Sequence, residues 1–154
     1  MPQQGRVEWL GLRPAKRAPL DSVAHVEALA NKGLAGDHRS QREGGKRQVT
    51  LIQAEHLPVL AALTGHERIP PEWLRRTIVV SAINLFALRG RSFAIGEVIL
   101  EGTGTCPPCS RMEKTLGPGG FNAMRGHGGI NARVICSGGI YVGDSVRLLA
   151  EGEA

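Results

Sequence analysis

Apolar positions along the chain come in short runs, separated by breaks rich in glycine and proline. That is the pattern of strands and turns. From Gly5 to Leu12, Val7, Trp9 and Gly11 alternate with Arg6, Glu8 and Leu10, which predicts a strand. Pro14 and Pro19 bracket a loop. Val23 to Ala30 fits two periods: Val23, Val26 and Ala30 suit a helical face, whereas Val26, Ala28 and Ala30 suit one face of a strand. Its shortness favours the strand. Gln48 to Ile52 predicts a buried strand, and Gln53 to Thr64 a helix stopped by Gly65. Pro58 moves the expected start of that helix towards Leu57.

Further along, Pro70 to Arg76 predicts a short helix with Pro71 at its first position, where a missing N–H costs nothing. Thr77 to Val80 is a strand, and Phe93 to Leu100 is two strand pieces around a glycine turn. The turn sequence Ile95-Gly96-Glu97 has an echo in Val142-Gly143-Asp144, which predicts two similar turns. Cys106 to Leu116 begins as a proline-rich turn and continues as a helix, followed by a glycine-rich stretch over residues 117–129. Ile130 to Cys136 and Ile140 to Leu149 predict a closing hairpin around Ser137-Gly138-Gly139, and the tail from Ala150 should fray. Strands outnumber helices, and no βαβ alternation is visible. The predicted fold class is mainly β: a small β-barrel, or strongly bent sheet, with a few short helices on its flanks.

Composition narrows the picture. A chain of 154 residues with no internal linker predicts a single domain. At 42% hydrophobic it can build an ordinary core and is not a disordered chain. No apolar run reaches the ~18 residues of a membrane span, and the N-terminal stretch lacks the apolar centre of a signal peptide. The expectation is a cytoplasmic protein with no membrane partner. Glycine, at 21 residues, is about twice its average usage. Three Phe, two Trp and one Tyr are few for stacking bases, so nucleic acid is not an expected partner. The formal charge of +5 favours an anionic partner. Three cysteines, an odd number, read as thiols rather than bridges.

The sharpest chemical feature is Thr105-Cys106-Pro107-Pro108-Cys109-Ser110. Two cysteines three apart at a helix start can form a redox pair, supply a thiolate ligand to a metal, or contribute half of a zinc site. A zinc site would need partners such as Cys136 and His127, whose spacing matches no known pattern. A thioredoxin-like role would need a βαβ context. Gly33 to Arg39 is a turn whose glycines expose backbone N–H groups, with Asp37, His38 and Arg39 adding an orienting carboxylate and positive donors. The bland alternative there is a structural turn with Asp37 capping the backbone. Arg75 and Arg76 suit phosphate, or simply face solvent. Asn84 follows a buried strand and holds a turn. Gln53 and Glu55 begin a helix, where capping is the default role. Arg125-Gly126-His127-Gly128-Gly129 is a basic, glycine-rich loop that either closes on an anion or merely connects, and His127 is a candidate proton donor.

Taken in order, these blocks resemble the MOSC family, named for the C-terminal domain of molybdenum-cofactor sulfurase and associated with pyridoxal phosphate enzymes. The matching pieces are Gly33-Leu34-Ala35-Gly36-Asp37, Arg47 to Ile52, Val79 to Leu85, Ile95-Gly96-Glu97-Val98, Cys106-Pro107-Pro108-Cys109 and Val142 to Val146. They span about Gly5 to Leu149 of a single domain, as in the small stand-alone bacterial branch. The resemblance implies a barrel like that of pyruvate kinase and a role with the molybdenum-pterin cofactor or with carried sulfur. Reduction of N-hydroxylated compounds is the activity of some relatives. By position, the resemblance gives Cys109 the role of molybdenum ligand or persulfide site, with Cys106 as a resolving thiol. Arg75 matches an arginine that holds the pterin phosphate in those relatives, and with the residues singled out above the candidate cofactor-binding set is Gly36, Asp37, His38, Arg39, Arg47, Arg75, Arg76, Thr77, Asn84, Arg125 and His127. Thr77 stands where the reductase relatives carry an asparagine. The expected partners are the cofactor itself or a sulfur donor or acceptor protein. Two other readings of the residues stay open: a non-enzymatic module for an anionic ligand, and a thiol-disulfide protein using Cys106 and Cys109.

Overall fold

Strand β1 (Gln4–Leu12) must bond three neighbours in turn, and it does so with a break in its alternation. Its start pairs with β11 (Ser145–Leu148), its middle with β6 (Ile78–Ser81) and its end with β2 (Asp21–Val23). The register with β6 slips between Val7 and Trp9, a bulge that resets which side chains face inward. Val7 and Leu10 are both buried in the core, and Trp9 turns outward to pack with a second cluster. Strict alternation would have placed Trp9 with Val7 and Leu10 opposite, so the bulge corrects that part of the sequence expectation.

The computed structural model describes residues 4–15, 20–37, 40, 43–45, 47–106, 115–124 and 127–150. The remaining strands of the main sheet are β5 (Val49–Gln53), β7 (Ser92–Ile95), β8 (Val98–Thr105) and β9 (Ile130–Cys136). The order β11, β7, β8, β9, β5, β6, β1 closes through the β1–β11 pairing into a seven-stranded barrel, with β2 extending the end of β1. A second sheet, β10 (Gly138–Tyr141), β3 (His25–Leu29) and β4 (Gly33–Leu34), covers one end. Its residues Val26, Ala28, Leu34 and Ile140 join the barrel core. Strand, not helix, is therefore the state of both β2 and β3. The mainly β, barrel-type fold expected from the sequence is the fold observed.

The barrel interior holds Val7, Leu51, Val80, Phe93, Ile95, Leu100, Ala132 and Val146, all essentially inaccessible to water. Burying each of the larger side chains stabilises the fold by roughly 1.5–3 kcal/mol. On the outer face, Ile52 and Val79 meet Leu60 and Ala61 of helix α1 (His56–Thr64), Leu74 of the 3-10 turn Pro71–Leu74, and Met124 of helix α2 (Gly120–Met124). Helix α1 starts one residue before the expected Leu57 and ends as expected: Gly65 takes the left-handed conformation (φ 76°), which its lack of a Cβ permits. None of the helices among the described residues is long and apolar enough to cross a membrane.

Two expectations are corrected. The last strands do not form a hairpin, because both edges of β9 are already taken, by β8 and β5. Strand β10 pairs with β3 in the small sheet, and β11 pairs with β7 and β1. The chain also contains one βαβ unit, β5–α1–β6, whose strands are parallel. The hydrophobic run of β5 hides that unit, since it reads equally well as one strand of an antiparallel barrel. The expected helix from Cys106 falls mostly on residues 107–114, outside the described residues. The paired turns at Gly96 (φ 56°) and Gly143 (φ 98°) are present and adjacent, with the Gly96 N–H donating to the Ser145 carbonyl (3.0 Å).

Gly129, just before β9, has φ 86°, and a Cβ there would lie 1.8 Å from the Leu51 carbonyl oxygen. Gly90 has φ 71° with open space around it. Gly129→Ala should therefore lose more than about 3 kcal/mol, combining left-handed strain with a backbone clash, while Gly90→Ala should lose only about 1 kcal/mol. Urea unfolding of the two variants checks this contrast.

Candidate functional site

Strand directions bring four strand ends to one rim of the barrel. Parallel β5 and β6 finish there at Gln53 and Ser81, β8 finishes at Thr105, and its partner β9 begins at Ile130. Cys106 therefore leaves the barrel beside Gly129, and its N–H donates to the Gly129 carbonyl (3.0 Å). The Cys106 residue is half-buried, not sealed in the core. Asn131 secures the same corner by donating from Nδ2 to the Thr105 carbonyl (3.3 Å).

Arg76 fixes the other side of this corner. Its Nε donates to the Gly128 carbonyl (2.7 Å) and its Nη1 to the Leu74 carbonyl (3.1 Å), and only 5% of the residue is exposed. Gly128 is packed so closely that a Cβ would sit 2.9 Å from the Cys106 carbonyl oxygen and 3.3 Å from Arg76 Nη2. A buried guanidinium thus holds the loop that holds Cys106. Arg75, next to it, is the left-handed residue (φ 59°) that ends the 3-10 turn.

Two histidines border the same corner. The rings of His56, at the start of α1, and His127 meet edge to face at 5.3 Å. His127 Nδ1 lies 3.0 Å from the Ala123 carbonyl, which only accepts, so Nδ1 carries the proton and Nε2 is the ring's other site. Burial lowers the His56 pKa below the ordinary imidazole value, and the neighbouring His127 lowers it further, against an opposing pull from Glu55. Gln53, His56, Leu85, Phe86 and Gly129 line a narrow hollow here.

A second 3-10 turn, Leu85–Leu88, crosses the rim and plugs it with Leu85 and Leu88. Gln53 Oε1 accepts from the Leu85 N–H (3.3 Å) and Glu55 Oε2 from the Ala82 N–H (2.9 Å). These two side chains tie down the crossing, whereas capping of their own helix was expected; α1 has no side-chain cap. Asn84 does hold a turn, its Oδ1 accepting from the Phe86 N–H (3.2 Å).

The residues gathered by the sequence reading divide into groups. Cys106, Arg76 and His127 come together at the rim. Gly36, Asp37 and Arg47 lie towards the opposite rim, where β1 ends and β5 begins. Asp37, 1% exposed, is clamped by Arg13: the Arg13 N–H and Nε donate to Oδ1 (2.8 and 3.0 Å) and Nη2 to Oδ2 (2.9 Å). Thr77 is fully buried and exchanges hydrogen bonds with Thr50 across β5 and β6. Cys109, His38, Arg39 and Arg125 lie outside the described residues. Sequence reasoning did not single out His56, Asn131 or Arg13. His56 had one signal, its place just after a strand end at a helix start, whereas Arg13 had none.

The model of the MOSC domain matches residues 32–147, most of the chain. The chain belongs to the MOSC domain family. No curated protein sequence matches it. Among solved structures, the YUAD protein from Bacillus subtilis superposes with a TM-score of 0.80 at 21% identity, covering 94% of this chain and 95% of that one. YiiM from Geobacillus stearothermophilus gives 0.75 at 14% identity, covering 97% and 77%. YiiM from Escherichia coli gives 0.73 at 16% identity, covering 97% and 72%. At these identities the structural likeness establishes the fold, and the MOSC domain match associates the chain with molybdenum-cofactor biology.

Two expected outcomes test the site's electrostatics. Because the folded-state pKa of His56 lies below its unfolded value, its neutral form carries the stability. That contribution is complete above about pH 6.5 and is lost as pH falls through the folded-state pKa. His127→Gln should raise the His56 pKa towards the ordinary value in an NMR titration and reduce the acid-side loss seen by urea unfolding. Asp37→Asn should cost about 3 kcal/mol by weakening a buried ion pair, measured at pH 7, while leaving the His56 titration unchanged.

Proposed function

We propose that this MOSC domain holds the molybdenum-pterin cofactor through one cysteine thiolate of the Cys106-Pro107-Pro108-Cys109 block, with Cys109 as the metal ligand and Cys106 as its neighbour on the rim. The observation that carries the reading is the anchoring of Cys106: its N–H on the Gly129 carbonyl, beside Gly128 and the buried Arg76. The block thereby starts at a fixed point on the rim, next to a permanent positive charge.

The residues present fit such a group. A pterin dithiolene supplies sulfur ligands of its own, so the protein needs one reachable thiolate rather than a cluster of ligands. Arg76, which holds the Gly128 carbonyl beside Cys106, keeps a positive charge at the start of the block, and positive charge favours a thiolate over a thiol. Asn131 is 4% exposed and its Oδ1 is a buried acceptor with no hydrogen-bond donor among the described residues. An amino group on a bound heterocycle would satisfy that atom. Arg75, half-buried at the end of the 3-10 turn, remains a candidate for the anionic tail, whereas Arg47 precedes β5 towards the opposite rim. When bound, the cofactor supplies two-electron redox chemistry at the metal. The chain's own part is to hold the thiolate, to orient the heterocycle through Asn131, and to present His127 Nε2 as a proton site on the rim.

Reduction of N-hydroxylated compounds is the activity this assignment extends to. The experiment is molybdenum and pterin analysis of protein purified from a host that makes the cofactor. Wild type should contain both, and Cys109→Ser should lose molybdenum while retaining its fold. Asn131→Leu should lower pterin content without removing the thiol. Wild-type protein free of molybdenum and pterin would overturn the cofactor reading. A persulfide found on Cys109 in that case would assign sulfur transfer instead.

A further inference from the structure

On the other side of the 3-10 turn Leu85–Leu88 from the histidines lies a much larger cavity, about 520 Å³. That volume is in the range of small-molecule sites. Its walls are aliphatic: Ile83, Ala87, Leu88, Leu148 and Leu149. Its charged lining consists of Arg91 and Arg147, and its described lining contains no carboxylate. The pairing of β7 and β11 places the arginines near each other: Arg147 pairs with Ala94 across the two strands, and Leu149 N–H bonds to Ser92, the residue after Arg91. Both arginine residues are exposed at the surface. Arg91 makes no ion pair among the described residues.

We infer that this cavity binds a small aliphatic oxyanion, a hydrocarbon chain seated among Leu88, Leu148 and Leu149 with its charged head held by Arg91 and Arg147. The lining excludes other classes. The described lining offers no aromatic face on which a nucleobase or pterin would stack, and the positive charges of Arg91 and Arg147 repel a cation. A guanidinium fork suits a carboxylate or a phosphate head equally in geometry, so the head is specified as an oxyanion. Neither a cysteine nor a metal is needed to bind this ligand. The site therefore stands whether or not the cofactor reading does.

The test uses the purified full chain, calorimetric titration and amide NMR. Octanoate should bind saturably and shift the amides of Ala87, Leu88, Arg91 and Leu149. Octan-1-ol, with the same chain and no charge, should bind at least about tenfold more weakly, the scale of a lost charged hydrogen bond. The double variant Arg91→Gln with Arg147→Gln should lower octanoate affinity to that of the alcohol. Ala87→Trp, filling the cavity from an exposed position, should abolish both. Octyl phosphate binding as tightly as octanoate or tighter supports the oxyanion site and identifies the preferred head. Equal binding of octanoate and octan-1-ol would overturn the inference. So would octanoate affinity unchanged in the arginine variant, or shifts confined to residues away from this cavity.

Discussion

The bulge between Val7 and Trp9 is the constraint on which the barrel depends. A single strand must satisfy β11 at its start and β6 along its middle, or the sheet stays open. An open sheet would leave two edges of unpaired backbone, each a pairing hazard. A flat strand cannot serve both partners and also keep its apolar residues inward. The extra residue increases local twist and turns the strand. It also divides the labour of the apolar side chains: Val7 and Leu10 go to the interior, and Trp9 goes to the outer cluster under α1. One irregularity thus closes the barrel and seats the outer layer beside the candidate rim.

That rim is built from main-chain contacts at least as much as from side chains. Gly128 and Gly129 have no room for a Cβ, because they are pressed against Cys106, Arg76 and the Leu51 carbonyl. Arg76 has the composition of a phosphate ligand and the placement of a structural clamp. Its Nε and Nη1 are given to the Gly128 and Leu74 carbonyls, which makes the guanidinium part of the frame of the loop. The same buried charge would be costly if its carbonyl partners moved, which keeps the loop before β9 in place.

Much of the fold was legible in the sequence because most strands here are short apolar runs ended by glycine or proline. Val49 to Ile52, Ile78 to Val80 and Phe93 to Leu100 read correctly for that reason. Partner choice was not legible. Ile130 to Cys136 and Ile140 to Leu149 flank a glycine turn in sequence, yet each finds its neighbours elsewhere, since a local turn signal carries no information about an edge already occupied. The candidate site divided in the same way. Cys106 and His127 come together where β8 ends and β9 begins, and Arg76 joins them from the turn before β6 through its bond to the Gly128 carbonyl. Asp37 looked equally chemical, but its role is set by Arg13, 24 residues earlier and without any motif. His56 was hidden inside a helix start, and its significance comes from a ring 71 positions later.

The turn Leu85–Leu88 gives the two hollows of the rim a common wall. Leu85 and Phe86 face the histidine side, while Ala87 and Leu88 face the aliphatic cavity. The turn is tied by Gln53 to the end of β5 and by Asn84 to itself, and Leu85 and Leu88 are locked into the core. Packed cores respond to force by moving as units rather than by local deformation. A ligand that wedges against Leu88 would therefore load the same short element that borders His56 and Gly129. Coupling between the sites requires that a ligand favour one position of the turn over another. Gln53 ties the turn to the strand end that leads into α1, its Oε1 accepting from the Leu85 N–H.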